Sequence, residues 1–234
     1  MDPAATRAAP AARGAGAPAT PQAGKRLAAR LRAPRPAAIK AVKAAAFVLA
    51  LLPLARLVLG FSFDRLGANP LELITRSTGT WTLTFLLITL AVTPLRQLTG
   101  WHWLQRMRRM FGLFAFFYVC LHFTTYIWLD QFFDWAAIWK DILKRRFIWI
   151  GFAAFVMLLP LAATSFNAAI RWLGGPGWRR LHRLVYAIAI CGVVHYWWLV
   201  KKDITQPVIY GGVLAALLAF RVVQAWRNRS RAPG

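Results

Sequence analysis

The chain has 234 residues, 59% of them hydrophobic, and its 12 tryptophans exceed what a soluble domain of that length requires. Its 30 Lys and Arg outnumber 7 Asp and Glu, a formal charge of +23, but they fall between long apolar runs rather than along one solvated face. That distribution argues against a nucleic-acid-binding protein (no nucleic acid is expected as a partner) and for basic loops on one side of a lipid bilayer.

Residues 1–37 form a tail of Ala, Pro, Gly and Arg. Seven basic residues there (Arg7, Arg13, Lys25, Arg26, Arg30, Arg32, Arg35) face only Asp2, and no cleavable signal segment is visible. The composition predicts disorder beside the membrane surface. Six apolar windows follow, at about 39–61, 79–98, 108–129, 147–166, 182–200 and 206–226, each long enough for a hydrocarbon core of about 30 Å. The expected fold is an all-α integral membrane protein, a six-helix transmembrane bundle over 38–227, with a short tail at 228–234. Pro53, Pro94 and Pro160 fall inside spans, where proline is tolerated. The connecting loops are short. They leave no room for a soluble catalytic domain, and neither a P-loop nor a glycine-rich nucleotide fingerprint is present.

Charge sets the expected orientation. Arg96, Arg106, Arg108 and Arg109 lie between spans two and three, and Arg171, Arg179, Arg180 and Arg183 between spans four and five, with no acid in either loop. The C-terminal end adds Arg221, Arg227, Arg229 and Arg231, whereas the other loops are nearly balanced. Both termini are therefore expected in the cytoplasm. Trp101, Trp103, Trp172, Trp178 and Trp226 would mark the inner interface, and Trp81, Trp128, Trp135, Trp149, Trp197 and Trp198 the outer one. Cys120 and Cys191 both lie in apolar runs and read as core residues rather than a disulfide pair.

Of four histidines, His102 sits in the polar loop GWHWLQRMRR and reads as exposed. His122 and His195 lie inside spans three and five, where an ionisable side chain is costly unless it is paired or ligating. Counted from the basic ends of their helices, they stand at nearly the same depth, about 21 Å along at 1.5 Å per residue. That arrangement suits bis-imidazole ligation of a heme iron between two helices. A hydrogen bond to a backbone carbonyl and a proton relay stay open beside it, while zinc lacks its further ligands and a relay lacks a buried carboxylate. His182, in WRRLHRLVY, precedes His195 by 13 residues, which puts the two roughly 140° apart on a straight helix. Arg179, Arg180 and Arg183 around it suit heme propionates or lipid phosphates.

The stretches TPLRQLTG, RRMFGLFAFFYVCLHFTTY, GWRRLHRLVY and VVHYWW resemble the ferric-reductase-like transmembrane family, and within it the heme-binding subunits of protein-methionine-sulfoxide repair. The resemblance covers roughly residues 40–226 and leaves out the tail. It implies six helices in a bacterial inner membrane and heme b, with FMN as an associated cofactor that no motif here locates. It also implies electron flow from the quinone pool or a flavin reductase to a periplasmic molybdopterin-dependent, MsrP-type reductase. Ligand roles carry over to His122, His195 and His182. Larger members place two histidines on each of two helices, but here Arg108 stands 14 residues before His122. A second heme would find only His182. The chain is thus expected to be an electron-transfer subunit rather than a catalytic one. The alternative, a stand-alone ferric or oxygen reductase, would bring a nucleotide-binding flavodomain.

Overall fold

A computed structural model describes residues 34–230, so nearly all of the basic tail and the last four residues lie outside the described residues. Among the described residues eight α-helices follow one another: α1 (Pro36–Ser62), α2 (Pro70–Thr99), α3 (Gln105–Thr124), α4 (Trp135–Lys144), α5 (Arg146–Ala163), α6 (Asn167–Leu181), α7 (Leu184–Leu199) and α8 (Thr205–Arg229). A 3-10 turn, His102–Leu104, leads into α3, and a π-helical turn, Thr125–Asp130, extends it. No strand occurs among the described residues.

Among the described residues five helices (α1, α2, α3 with its flanking turns, α5 and α8) are long and apolar enough to cross a membrane. The expected fifth crossing differs. α7 is apolar but has 16 residues, about 24 Å at 1.5 Å per residue, because a turn at His182–Arg183 ends the preceding helix first. Helix α2 begins at Pro70 instead of 79, since Asn69 caps it. The Asn69 side chain accepts from the Glu72 N–H at 3.2 Å and donates to the Glu72 carboxylate at 3.0 Å, a side-chain N-cap with Pro at the first helical position. Two helices, α4 and α6, stand where loops were expected.

The prolines are compensated across helices. Beside Pro53, the Tyr118 hydroxyl of α3 inserts between a helical donor and acceptor of α1. It takes the Leu54 N–H at 3.2 Å and gives its own proton to the Ala50 carbonyl at 2.8 Å. Pro94 has no N–H for the Leu90 carbonyl four residues back, and Arg221 of α8 donates to that oxygen at 2.8 Å.

Helix α2 packs chiefly on α3, and α5 chiefly on α7. Phe85 of α2 stacks on Phe111, Phe114 and Tyr118 of α3 to fill the first pair. Charge divides the bundle lengthwise. The six described acids (Asp64, Glu72, Asp130, Asp134, Asp141, Asp203) all lie in or beside the links α1–α2, α3–α5 and α7–α8, at one mixed-charge end. The opposite end carries Arg96, Arg106, Arg108, Arg109 and the arginines of α6 with no acid among the described residues. Most of the interface tryptophans are exposed, Trp172 at 83%. Trp81 and Trp178 depart from that expectation: the first packs against Phe85 and the second stacks on His182.

Candidate functional site

Where the two helix pairs meet, His122 of α3 and His195 of α7 face each other with ring centroids 6.1 Å apart and planes at 81°. Each ring is held from behind. His122 Nδ1 lies 2.9 Å from the Thr75 carbonyl oxygen of α2, and His195 Nδ1 lies 2.6 Å from the Phe147 carbonyl oxygen of α5. A carbonyl only accepts, so each Nδ1 carries the proton, and the Nε2 lone pair of each neutral ring is left for a ligand. Thr78 adds a hydroxyl 3.4 Å from His122 Nδ1.

The two seats share one design. Four residues after each accepting carbonyl stands a glycine, Gly79 after Thr75 and Gly151 after Phe147. A Cβ on Gly79 would lie 3.0 Å from His122 Cε1, and one on Gly151 would lie 2.6 Å from His195 Nδ1. Both rings occupy room that any other residue would fill. Sequence reasoning missed these glycines and the two carbonyls, because a glycine in an apolar helix gives no sign of what crosses it.

The histidines open on a cavity of about 510 Å³ that reaches inward to Leu86, Leu158 and Ile188 and outward to Asn69, Arg76, Tyr126 and Arg145. At its mouth Arg76 pairs with Glu72 at 2.7 Å and Arg145 with Asp141 at 3.2 Å. Among the described residues, no His, Cys, Asp or Glu joins the two histidines in a cluster of three or more. A metal held there must bring its remaining ligands with it.

His182 is not part of this cavity. It caps α6 at the basic end, stacked on Trp178 at 3.9 Å, with Nε2 3.0 Å from the Thr164 hydroxyl. Trp178 in turn donates to the Thr164 carbonyl at 3.0 Å. Burial, and after it the charge of Arg108, lowers the His182 pKa to about 4, so the ring is neutral at physiological pH. Arg179, Arg180 and Arg183 are exposed, as is His102, and Cys120 and Cys191 are free thiols.

Residues 78–193, which include His122 and His182 and end two residues before His195, match the family model for the ferric reductase like transmembrane component. Relatives extend the match over most of the chain. The Herminiimonas arsenicoxydans protein is 56% identical over 85% of this chain and 92% of its own length. The Azospira oryzae protein is 56% identical over 86% and 89%, and the Ralstonia nicotianae protein 55% identical over 82% and 90%. All three bear the name protein-methionine-sulfoxide reductase heme-binding subunit MsrQ. The chain belongs to the MsrQ family. With its apolar helices, that membership makes it an integral membrane protein of the ferric-reductase-like type.

Proposed function

We propose that the chain is the heme-binding, electron-transferring membrane subunit of a methionine-sulfoxide reductase system, with His122 and His195 as the two residues that would hold the iron of a heme b. The facing histidine pair carries this reading. Metal–imidazole bonds of about 2.0 Å on opposite sides of one ion place the two ring centres about 6.2 Å apart, against 6.1 Å here. A porphyrin brings the four further nitrogens that the chain lacks. The residues fit the group.

A heme held there supplies reversible one-electron transfer within the membrane. The chain's own residues do the rest. Thr75 and Phe147 fix the tautomer and orientation of the ligating rings and raise their basicity. Gly79 and Gly151 let the rings lie close against neighbouring helices. Leu83, Leu86, Leu158 and Ile188 line the inner part of the cavity with apolar surface and keep water out. On this reading the mixed-charge end is periplasmic and meets a molybdopterin-dependent, MsrP-type partner. The basic end is cytoplasmic and receives electrons from the quinone pool or a flavin reductase beside His182, where a second heme or an FMN would shorten the path. α7 then counts as the sixth crossing.

His122→Ala and His195→Ala test the ligand pair. Each should abolish the dithionite-reduced low-spin b-type heme spectrum of the purified protein. Full heme content with an unchanged reduced spectrum in either variant would refute the assignment.

A further inference from the structure

The basic end holds three arginines from three helices: Arg96 in the last turn of α2, Arg108 near the start of α3, and Arg221 on α8. Arg221 donates to the Tyr186 hydroxyl at 2.9 Å and to the Leu90 carbonyl at 2.8 Å, and its guanidinium lies 5.1 Å from the Tyr186 ring centre. Arg108 is near enough to feel the charges of both Arg96 and Arg221. The Nε atoms of Arg96 and Arg221 are buried without a hydrogen-bond partner.

Arginine keeps its charge under any physiological condition, so these three repel one another and cannot relieve it by losing a proton. No carboxylate among the described residues is at this end to offset them. A partly buried positive cluster of this kind is stabilised by an anion from outside the chain. The guanidinium forks match an oxyanion that accepts several hydrogen bonds, and phosphate matches best.

The surroundings decide which phosphate. Leu95, next to Arg96, is 44% exposed, and Val222, next to Arg221, is 68% exposed. The cluster therefore borders apolar helix faces that a bilayer covers, at the level of the membrane interface. We propose that Arg96, Arg108 and Arg221 bind the phosphate of an anionic phospholipid of the leaflet at the basic end, whose acyl chains lie along the exposed faces of α2 and α8. The site stands apart from the His122–His195 cavity and does not depend on what that cavity holds.

The full-length protein, purified in mild detergent, is heated in mixed micelles containing phosphatidylglycerol, in others containing phosphatidylcholine of the same chains, and with inorganic phosphate. Phosphatidylglycerol should raise the unfolding midpoint by several degrees and the other two by much less. Phosphorus analysis should find phospholipid retained by the parent, and several-fold less in Arg96→Gln and Arg221→Gln. Arg221→Gln also removes the bonds to Tyr186 and Leu90, so Arg96→Gln, which leaves both in place, carries the test independently. Three results would each overturn the proposal. Inorganic phosphate could match phosphatidylglycerol, which makes the site one for soluble oxyanions. Both variants could keep the full lipid effect. Or Arg96→Gln could lose porphyrin absorbance while keeping the lipid effect, which assigns the arginines to the carboxylates of a bound porphyrin.

Discussion

At the scale of single residues, the site depends on atoms that are absent. Gly151 sits where a Cβ would come within 2.6 Å of His195 Nδ1, the atom bonded to Phe147. An alanine there must push the ring off its carbonyl, and such overpacking costs about 1–3 kcal/mol. Gly212 of α8 has nothing within 4 Å of a built Cβ, so Gly212→Ala should be neutral or gain up to about 1 kcal/mol of helix propensity. We expect Gly151→Ala to lower heme occupancy severalfold or shift the reduced spectrum, and Gly212→Ala to leave both unchanged. Equal spectra in the two variants would remove the glycine seat from the account. The histidines were legible in the sequence because an ionisable group in an apolar run needs a reason. Their glycine and carbonyl partners were not, because nothing in the sequence says which helix lies across which.

At the scale of elements, hydropathy windows found every long apolar helix and misplaced what was polar or short. Helix α2 carries Glu72 and Arg76 in its first turns, which pushed its apparent start to 79, although Asn69, Pro70 and Glu72 spell an N-cap, a first-position proline and a first-turn acid in plain order. Helix α4 has Trp135, Ile138, Trp139 and Ile142 at helical spacing, a pattern too brief for a membrane window but clear as an amphipathic turn sequence. Its Ile138 and Ile142 are buried, and Ile142 lines the cavity mouth. With only 10 residues, α4 leans on its cap, where the Asp134 side chain accepts from the Ala137 N–H at 2.9 Å. Losing such a cap costs roughly 0.5–2 kcal/mol, a large part of what a short helix has. Asp134→Ala should therefore speed amide hydrogen exchange across 136–144 and leave α3 protected. Uniform exchange rates in parent and variant would mean that α4 is held by its apolar contacts alone.

At the scale of the whole molecule, orientation rests on charge rather than on any contact. All six described acids share one end with several lysines, and the other end is basic without relief. Translocation disfavours short basic segments on the outer side, so we expect the basic end in the cytoplasm. The number of crossings must agree with that. Five long helices alone would leave the two termini on opposite sides. α7 settles the parity only if its 16 residues cross, and at about 24 Å it falls short of a core of about 30 Å. Two features make the crossing feasible. The basic turn at His182–Arg183 and the Lys201–Lys202 pair flank the helix, and long basic side chains can reach the headgroups from slightly inside. A short hydrophobic stretch is also tolerated by local thinning of the bilayer at a cost of fractions of a kcal/mol per Å. We therefore expect an even number of crossings. Sidedness reporters fused after residue 234 and inserted between Gln131 and Asp134 should report opposite compartments, with the C-terminal one cytoplasmic. A third reporter at Lys201–Asp203 should agree with the second. If instead it reported the cytoplasm and the C-terminal one the outer side, α7 would not cross, and the facing of His122 and His195 would need another explanation than two helices that traverse the membrane side by side.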